Sequence, residues 1–126
     1  MSLPLRTLNN MNGHYSTLAE FWPFYVSEHL NPTNRKLHFA GTTLALILAL
    51  MAFFLKARSL AVCALITPYA FAWTGHFGFE KNRPATFKYP LLSLRADFKM
   101  YALTWRGAMD AEIVRLSSEL RRLRKS

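Results

Sequence analysis

At 126 residues without repeats or low-complexity stretches, the chain has room for one compact domain, and its 52% apolar content is densest between Leu37 and Phe79. Sixteen Lys and Arg against seven Asp and Glu give a formal charge of +9, which favours an anionic partner, while the uneven apolar distribution argues against a soluble basic protein. Cys63 is the single cysteine, so an intrachain disulfide is excluded; its apolar surroundings would stabilise a thiolate poorly, and a packing role is expected.

Residues 1–13 carry Arg6 but no apolar stretch of signal-peptide length, so the N-terminus is expected to be retained. From Tyr15 to Leu30, the aromatics Tyr15, Phe21, Trp22, Phe24 and Tyr25 are mixed with Ser16, Glu20, Ser27 and Glu28, and Pro23 is expected to interrupt the segment. That mixture predicts a helix over 15–30, lying at a membrane surface or packed on other helices. Asn31-Pro32-Thr33-Asn34 reads as a tight joint: Pro32 disfavours helix at Asn31, and either asparagine suits the cap of a new helix.

After Arg35 and Lys36 come the 19 uncharged residues Leu37 to Leu55. As a helix they would reach about 28 Å, close to the hydrocarbon thickness of a bilayer. Lys56, Ala57, Arg58 and Ser59 break the run, and a second, 60–79, follows with Pro68 inside it. So short a break permits only an antiparallel hairpin. The break holds two of the sixteen cations and the flanks hold the other fourteen, which places both termini on the cytoplasmic side.

Beyond Pro84, Leu91, Leu92, Leu94, Phe98, Tyr101, Ala102 and Trp105 alternate with Arg95, Asp97, Lys99 and Arg106 at helical spacing, predicting an interfacial amphipathic helix over 90–106. A last helix, 108–126, would carry Ile113, Leu116, Leu120 and Leu123 on one face. Arg115, Arg121, Arg122, Arg124 and Lys125 surround that face and suit anionic lipid. The fold class expected is therefore all-α: a single membrane domain, 1–126, with a central transmembrane hairpin and interfacial helices.

Four histidines occur, and metal ligands distant in sequence must converge in space. With Ala57 as the hairpin apex, His38 lies nineteen residues before it and His76 nineteen after, so antiparallel helices carry both at one depth. A reversal at the Asn31–Asn34 joint would return His29 to the same end. Glu80, four residues after His76, would share its helical face. Imidazoles with a carboxylate and vacant positions suit non-haem iron(II), with Glu80 a ligand or an acceptor behind the ligands. The competing reading is polar groups satisfied at a membrane boundary, and bis-histidine haem ligation is a third. His14, in a polar stretch beside Gly13, reads as a loop histidine. Arg83 would pair with a substrate carboxylate or serve as a positive anchor, and Trp73, Phe77 and Phe79 would line an acyl channel or form an interfacial belt. Zinc-protease, phosphate-loop and nucleophile-elbow motifs are missing from the sequence.

Two motifs taken together, His29-Leu30-Asn31-Pro32-Thr33-Asn34-Arg35-Lys36-Leu37-His38 and Gly75-His76-Phe77-Gly78-Phe79-Glu80-Lys81-Asn82-Arg83-Pro84-Ala85, resemble the small membrane iron(II) dioxygenases that act on 2-hydroxy fatty acids in phytosphingosine breakdown. The resemblance covers roughly 21–100. It implies an enzyme that uses ferrous iron and O₂ to shorten a 2-hydroxy fatty acid by one carbon, with His29, His38 and His76 holding the iron. The fourth histidine expected there has no match, since His14 lies outside the motifs. On this reading His29, His38, His76 and Glu80 are catalytic, Arg83 and Asn34 bind substrate, and the partners are a fatty-acid-like lipid, O₂ and membrane lipid. Nucleic acid is not expected, and because two spanning helices are few for a stable bundle, either self-association into a homo-oligomer or packing of the N- and C-terminal helices against the hairpin is expected. The location expected is a bacterial inner membrane or the endoplasmic reticulum. The alternative function is a basic, membrane-anchored scaffold without catalysis.

Overall fold

The structure, a computed structural model, describes residues 14–125. The expectation on 1–13 lies outside the described residues, and those on Leu120, Arg122, Leu123, Arg124 and Lys125 lie outside the described side chains. Every helix or strand assigned among the described residues is a helix: α1 Leu18–Ser27, α2 Pro32–Leu55, α3 Arg58–Thr74, a π-helical segment Gly75–Glu80, a 3₁₀ turn Ala85–Phe87, α4 Pro90–Trp105 and α5 Met109–Lys125. They form two compact units, one of His29–Pro84 and one of the residues on either side of it.

In the His29–Pro84 unit, α2 begins well before the apolar run because the joint supplies a start signal. Asn31 Oδ1 accepts from the Thr33 amide at 2.9 Å, and Pro32 occupies the first helical position, where its missing N–H costs nothing. The helix stops at Lys56, which adopts the left-handed conformation at φ 52° while its amide caps the Ala52 carbonyl. α3 follows after Ala57, keeps Pro68 inside it, and runs without a break into the π-helical segment. α2 and α3 pack closely along their length. A Cβ on Gly41 would lie 2.7 Å from Phe71 Cβ and 3.4 Å from Pro68 Cα, so the contact works because Gly41 has no side chain.

This hairpin is apolar on the outside. In α2 the buried residues are Asn34, His38, Gly41 and Ala52, and α3 buries none. Leu50, Phe53, Phe54, Leu65 and Ile66 all face outward, Phe53 at 76% exposure. A water-soluble hairpin would carry the opposite pattern. Two helices, of 24 residues (Pro32–Leu55) and 23 residues (Arg58–Glu80), are long and apolar enough to cross a membrane. Cys63, expected to pack, is exposed instead, because two helices bury only the stripe along which they touch.

The other unit has a conventional core of Tyr15, Phe21, Trp22, Tyr25, Ala96, Met100 and Leu116. Thr17 Oγ1 caps α1 by accepting from the Glu20 amide at 3.2 Å. Pro23 does not interrupt α1: the helix runs through it, and burial of Phe21, Trp22 and Tyr25 around it offsets the lost hydrogen bond. The buried Tyr25 hydroxyl donates to Asp97 on α4. Burial, and then the Asp97 charge, hold that phenol well above its ordinary 10.0. α4 buries Ser93, Ala96 and Met100, while Leu91, Leu94, Phe98 and Trp105 stay exposed.

Candidate metal centre

His29 sits in the short link between α1 and α2, His38 in the second turn of α2, and His76 in the π-helical segment. All three are buried, at 1%, 8% and 2% exposure. Each offers one ring nitrogen, and these atoms lie within 4.8 Å of one another. The ring centroids are 4.6 Å (His29–His38), 4.5 Å (His29–His76) and 5.1 Å (His38–His76) apart, with interplanar angles of 78°, 82° and 90°. Three nearly perpendicular rings thus surround one point.

His38 Nε2 and His76 Nε2 are 3.2 Å apart. Two nitrogens bound about 2.1 Å from one ion at 90–110° would be about 3.0–3.4 Å apart, so this pair already has the spacing of neighbouring ligands. The His29 Nε2 atom is buried and makes no hydrogen bond, although its ring edge packs on both partners. Three buried imidazoles are a borderline-soft nitrogen donor set that suits a divalent transition metal. The residues present therefore fit a metal ion.

Contacts on both sides fix the link that carries His29. Arg35, one turn before His38, donates through one guanidinium nitrogen to the carbonyls of His29 (2.8 Å) and Leu30 (2.7 Å). Glu80 Oε1 accepts from the Asn31 amide at 2.5 Å and from Asn34 Nδ2 at 3.4 Å. Asn31 Nδ2 in turn donates to the Phe79 carbonyl at 3.4 Å. Asn34 is fully buried, and its Oδ1 lies where a Cβ on Gly75 would stand, at 1.9 Å, so Gly75 lets the π-helical segment press against α2 beside the histidines.

Of the residues singled out in the sequence, His29, His38 and His76 come together. Glu80 lies outside that group and braces the link. Asn34 is enclosed between Glu80 and Gly75, and Arg83 is exposed just beyond the segment. His14 belongs to the other unit, exposed, with its ring 6.5 Å from that of Tyr89.

Asn82 was not foreseen. Lys81 turns left-handed at φ 61°, and the amides of Lys81 and Asn82 both donate to the His76 carbonyl. That turn brings Asn82 Oδ1 to 2.7 Å from His76 Nδ1. A left-handed lysine leaves no mark in a sequence, where glycine is the usual sign of that conformation. The one available hint was an asparagine close after a histidine at the end of an apolar run.

Compared with known proteins, the chain matches over residues 15–109 the family model described as 2-hydroxy-palmitic acid dioxygenase Mpo1-like. It matches no curated protein and no solved structure.

Proposed function

The chain belongs to the 2-hydroxy-palmitic acid dioxygenase Mpo1-like family, and from that premise we propose that it is a membrane-embedded, iron(II)-dependent dioxygenase that shortens a 2-hydroxy fatty acid by one carbon. The observation that carries the reading is the convergence of His29, His38 and His76, far apart in the chain, on one buried point. Together with the family description, it favours a redox metal centre over a scaffold with polar groups at a boundary.

In this reading the three imidazoles hold the ion through nitrogen lone pairs and leave positions for substrate oxygens. A ferrous ion held by these three residues would supply the redox chemistry that couples O₂ to oxidation of the acid. The reaction needs no further reductant. Breaking the bond between C1 and C2 oxidises those two carbons by four electrons, matching the reduction of one O₂, and the products balance as the shortened acid, carbon dioxide and water. Arg83 is assigned to the substrate carboxylate as it approaches. Asn34 and Glu80 act on the site indirectly, by holding Gly75 and the His29 link in place. The outward apolar surface of α2 and α3 keeps the acyl chain in lipid, and both termini lie on the cytoplasmic side, where most of the Lys and Arg reside.

The test is elemental analysis and turnover of anaerobically purified protein beside His38→Ala and His76→Ala. About one iron per chain and one-carbon shortening are expected in the parent. Each variant should lose iron and at least about 10²-fold in rate, the minimum expected when a ligand rather than its support is removed. Protein free of metal that still shortens the acid, or variants that keep both metal and turnover, would overturn the proposal.

A further inference from the structure

A neutral imidazole carries one N–H, so His76 can offer Nε2 to an ion only if its proton sits on Nδ1, and the acceptor facing Nδ1 decides that. In this structure the acceptor is Asn82 Oδ1, at 2.7 Å. Asn82 also grips the backbone of the same residue, its amide donating to the His76 carbonyl at 3.1 Å. The two bonds hold the ring and its main chain together, and the left-handed turn at Lys81 is what allows both. His76 Nε2 is thereby aimed at His38 Nε2, 3.2 Å away.

We infer that Asn82 is a positioning residue: its side-chain oxygen keeps the proton of His76 on Nδ1 and so presents the Nε2 lone pair to the metal position shared with His29 and His38. The inference rests on the metal reading above for its purpose, but the proton position itself is a property of the metal-free protein. Leucine at 82 would fill a similar volume and accept no hydrogen bond. Aspartate would accept it more strongly and make Nε2 a better donor.

The experiment has two readouts. Long-range ¹H–¹⁵N correlation spectra of histidine-labelled, metal-free protein in detergent, assigned with His76→Ala, report which ring nitrogen is protonated. Titration with Co²⁺ as the probe reports affinity through its visible absorption. In the parent the Nδ1–H form is expected; in Asn82→Leu the Nε2–H form should appear and Co²⁺ affinity should fall about 10–100-fold. Asn82→Asp should keep the Nδ1–H form and bind Co²⁺ at least as tightly as the parent. An Asn82→Leu protein with the proton still on Nδ1 and parental affinity would overturn the inference. If Asn82→Leu does not fold, Asn82→Asp decides alone, and a proton on Nε2 in that variant is fatal. A parent that binds no Co²⁺ counts against the metal reading, and the proton position then judges Asn82 separately.

Discussion

At Glu80 a carboxylate reaches back 49 residues to the Asn31 amide, and with Arg35 on the neighbouring carbonyls it leaves the His29 link little freedom. Removing that acceptor strands a partly buried amide. Glu80→Ala should therefore destabilise the folded protein by about 1–3 kcal/mol in chemical denaturation and weaken metal binding by loosening His29. Glu80→Gln keeps an acceptor oxygen and should fall well short of that loss; equal losses in both variants would show that the negative charge matters more than the hydrogen bond. At this scale the sequence was readable where position in the hairpin decided the outcome. Equal distances of His38 and His76 from Ala57, and the reversal near Pro32, were enough to anticipate three converging rings. It was unreadable where local backbone decided: the left-handed Lys81 that returns Asn82, and the fit of Asn34 against the bare Cα of Gly75.

Helices make the same contrast. The apolar runs, the Asn31 cap and the Pro32 start are all visible in the letters, whereas the helix through Pro23 depends on tertiary packing that outweighs a local penalty. In α4 the row that catches the eye, Leu91, Leu94, Phe98 and Trp105, is exposed, and the smaller Ser93 and Ala96 face the core because α1 supplies the bulk there with Phe21, Trp22 and Tyr25. α5 is tied to α1 by Trp22 Nε1–H, which donates to Glu112 Oε1 at 2.9 Å. The hydrogen bonds from Arg115 lower the Glu112 carboxyl from its ordinary 4.5, with burial opposing and Trp22 adding to the effect. A carboxyl held low in the folded state contributes its stabilisation fully above its unfolded value and loses it as pH falls through the folded one. Thermal melts should thus show a modest decline in midpoint on acidification below about pH 4.5, smaller in Glu112→Gln; an unchanged acid slope in that variant would remove Glu112 as its source.

For the whole molecule, the outward apolar face of α2 and α3 predicts where water cannot reach. Cys63, the chain's single cysteine, stands exposed on α3 among Val62, Leu65 and Ile66. In native membranes a charged maleimide should leave it unmodified, while denaturation in detergent should make it fully reactive. Rapid labelling in intact membranes would place this stretch in water and end the spanning reading. Length and lack of charge made this segment recognisable in the sequence. Its inside-out burial pattern was less apparent, since periodicity cannot tell which face of a uniformly apolar helix touches a neighbour.

The two arms of the hairpin, each nineteen residues from Ala57 to its histidine, make the chain intolerant of one particular kind of change. Exchanging one aliphatic residue for another along either arm leaves both imidazoles where they are. Inserting or deleting a single residue in one arm alone would swing its histidine about 100° around the helix and slide it about 1.5 Å. A one-residue insertion in either arm between His38 and His76 should therefore cost metal binding, measured by titration with Co²⁺, where an aliphatic exchange at the same place should not.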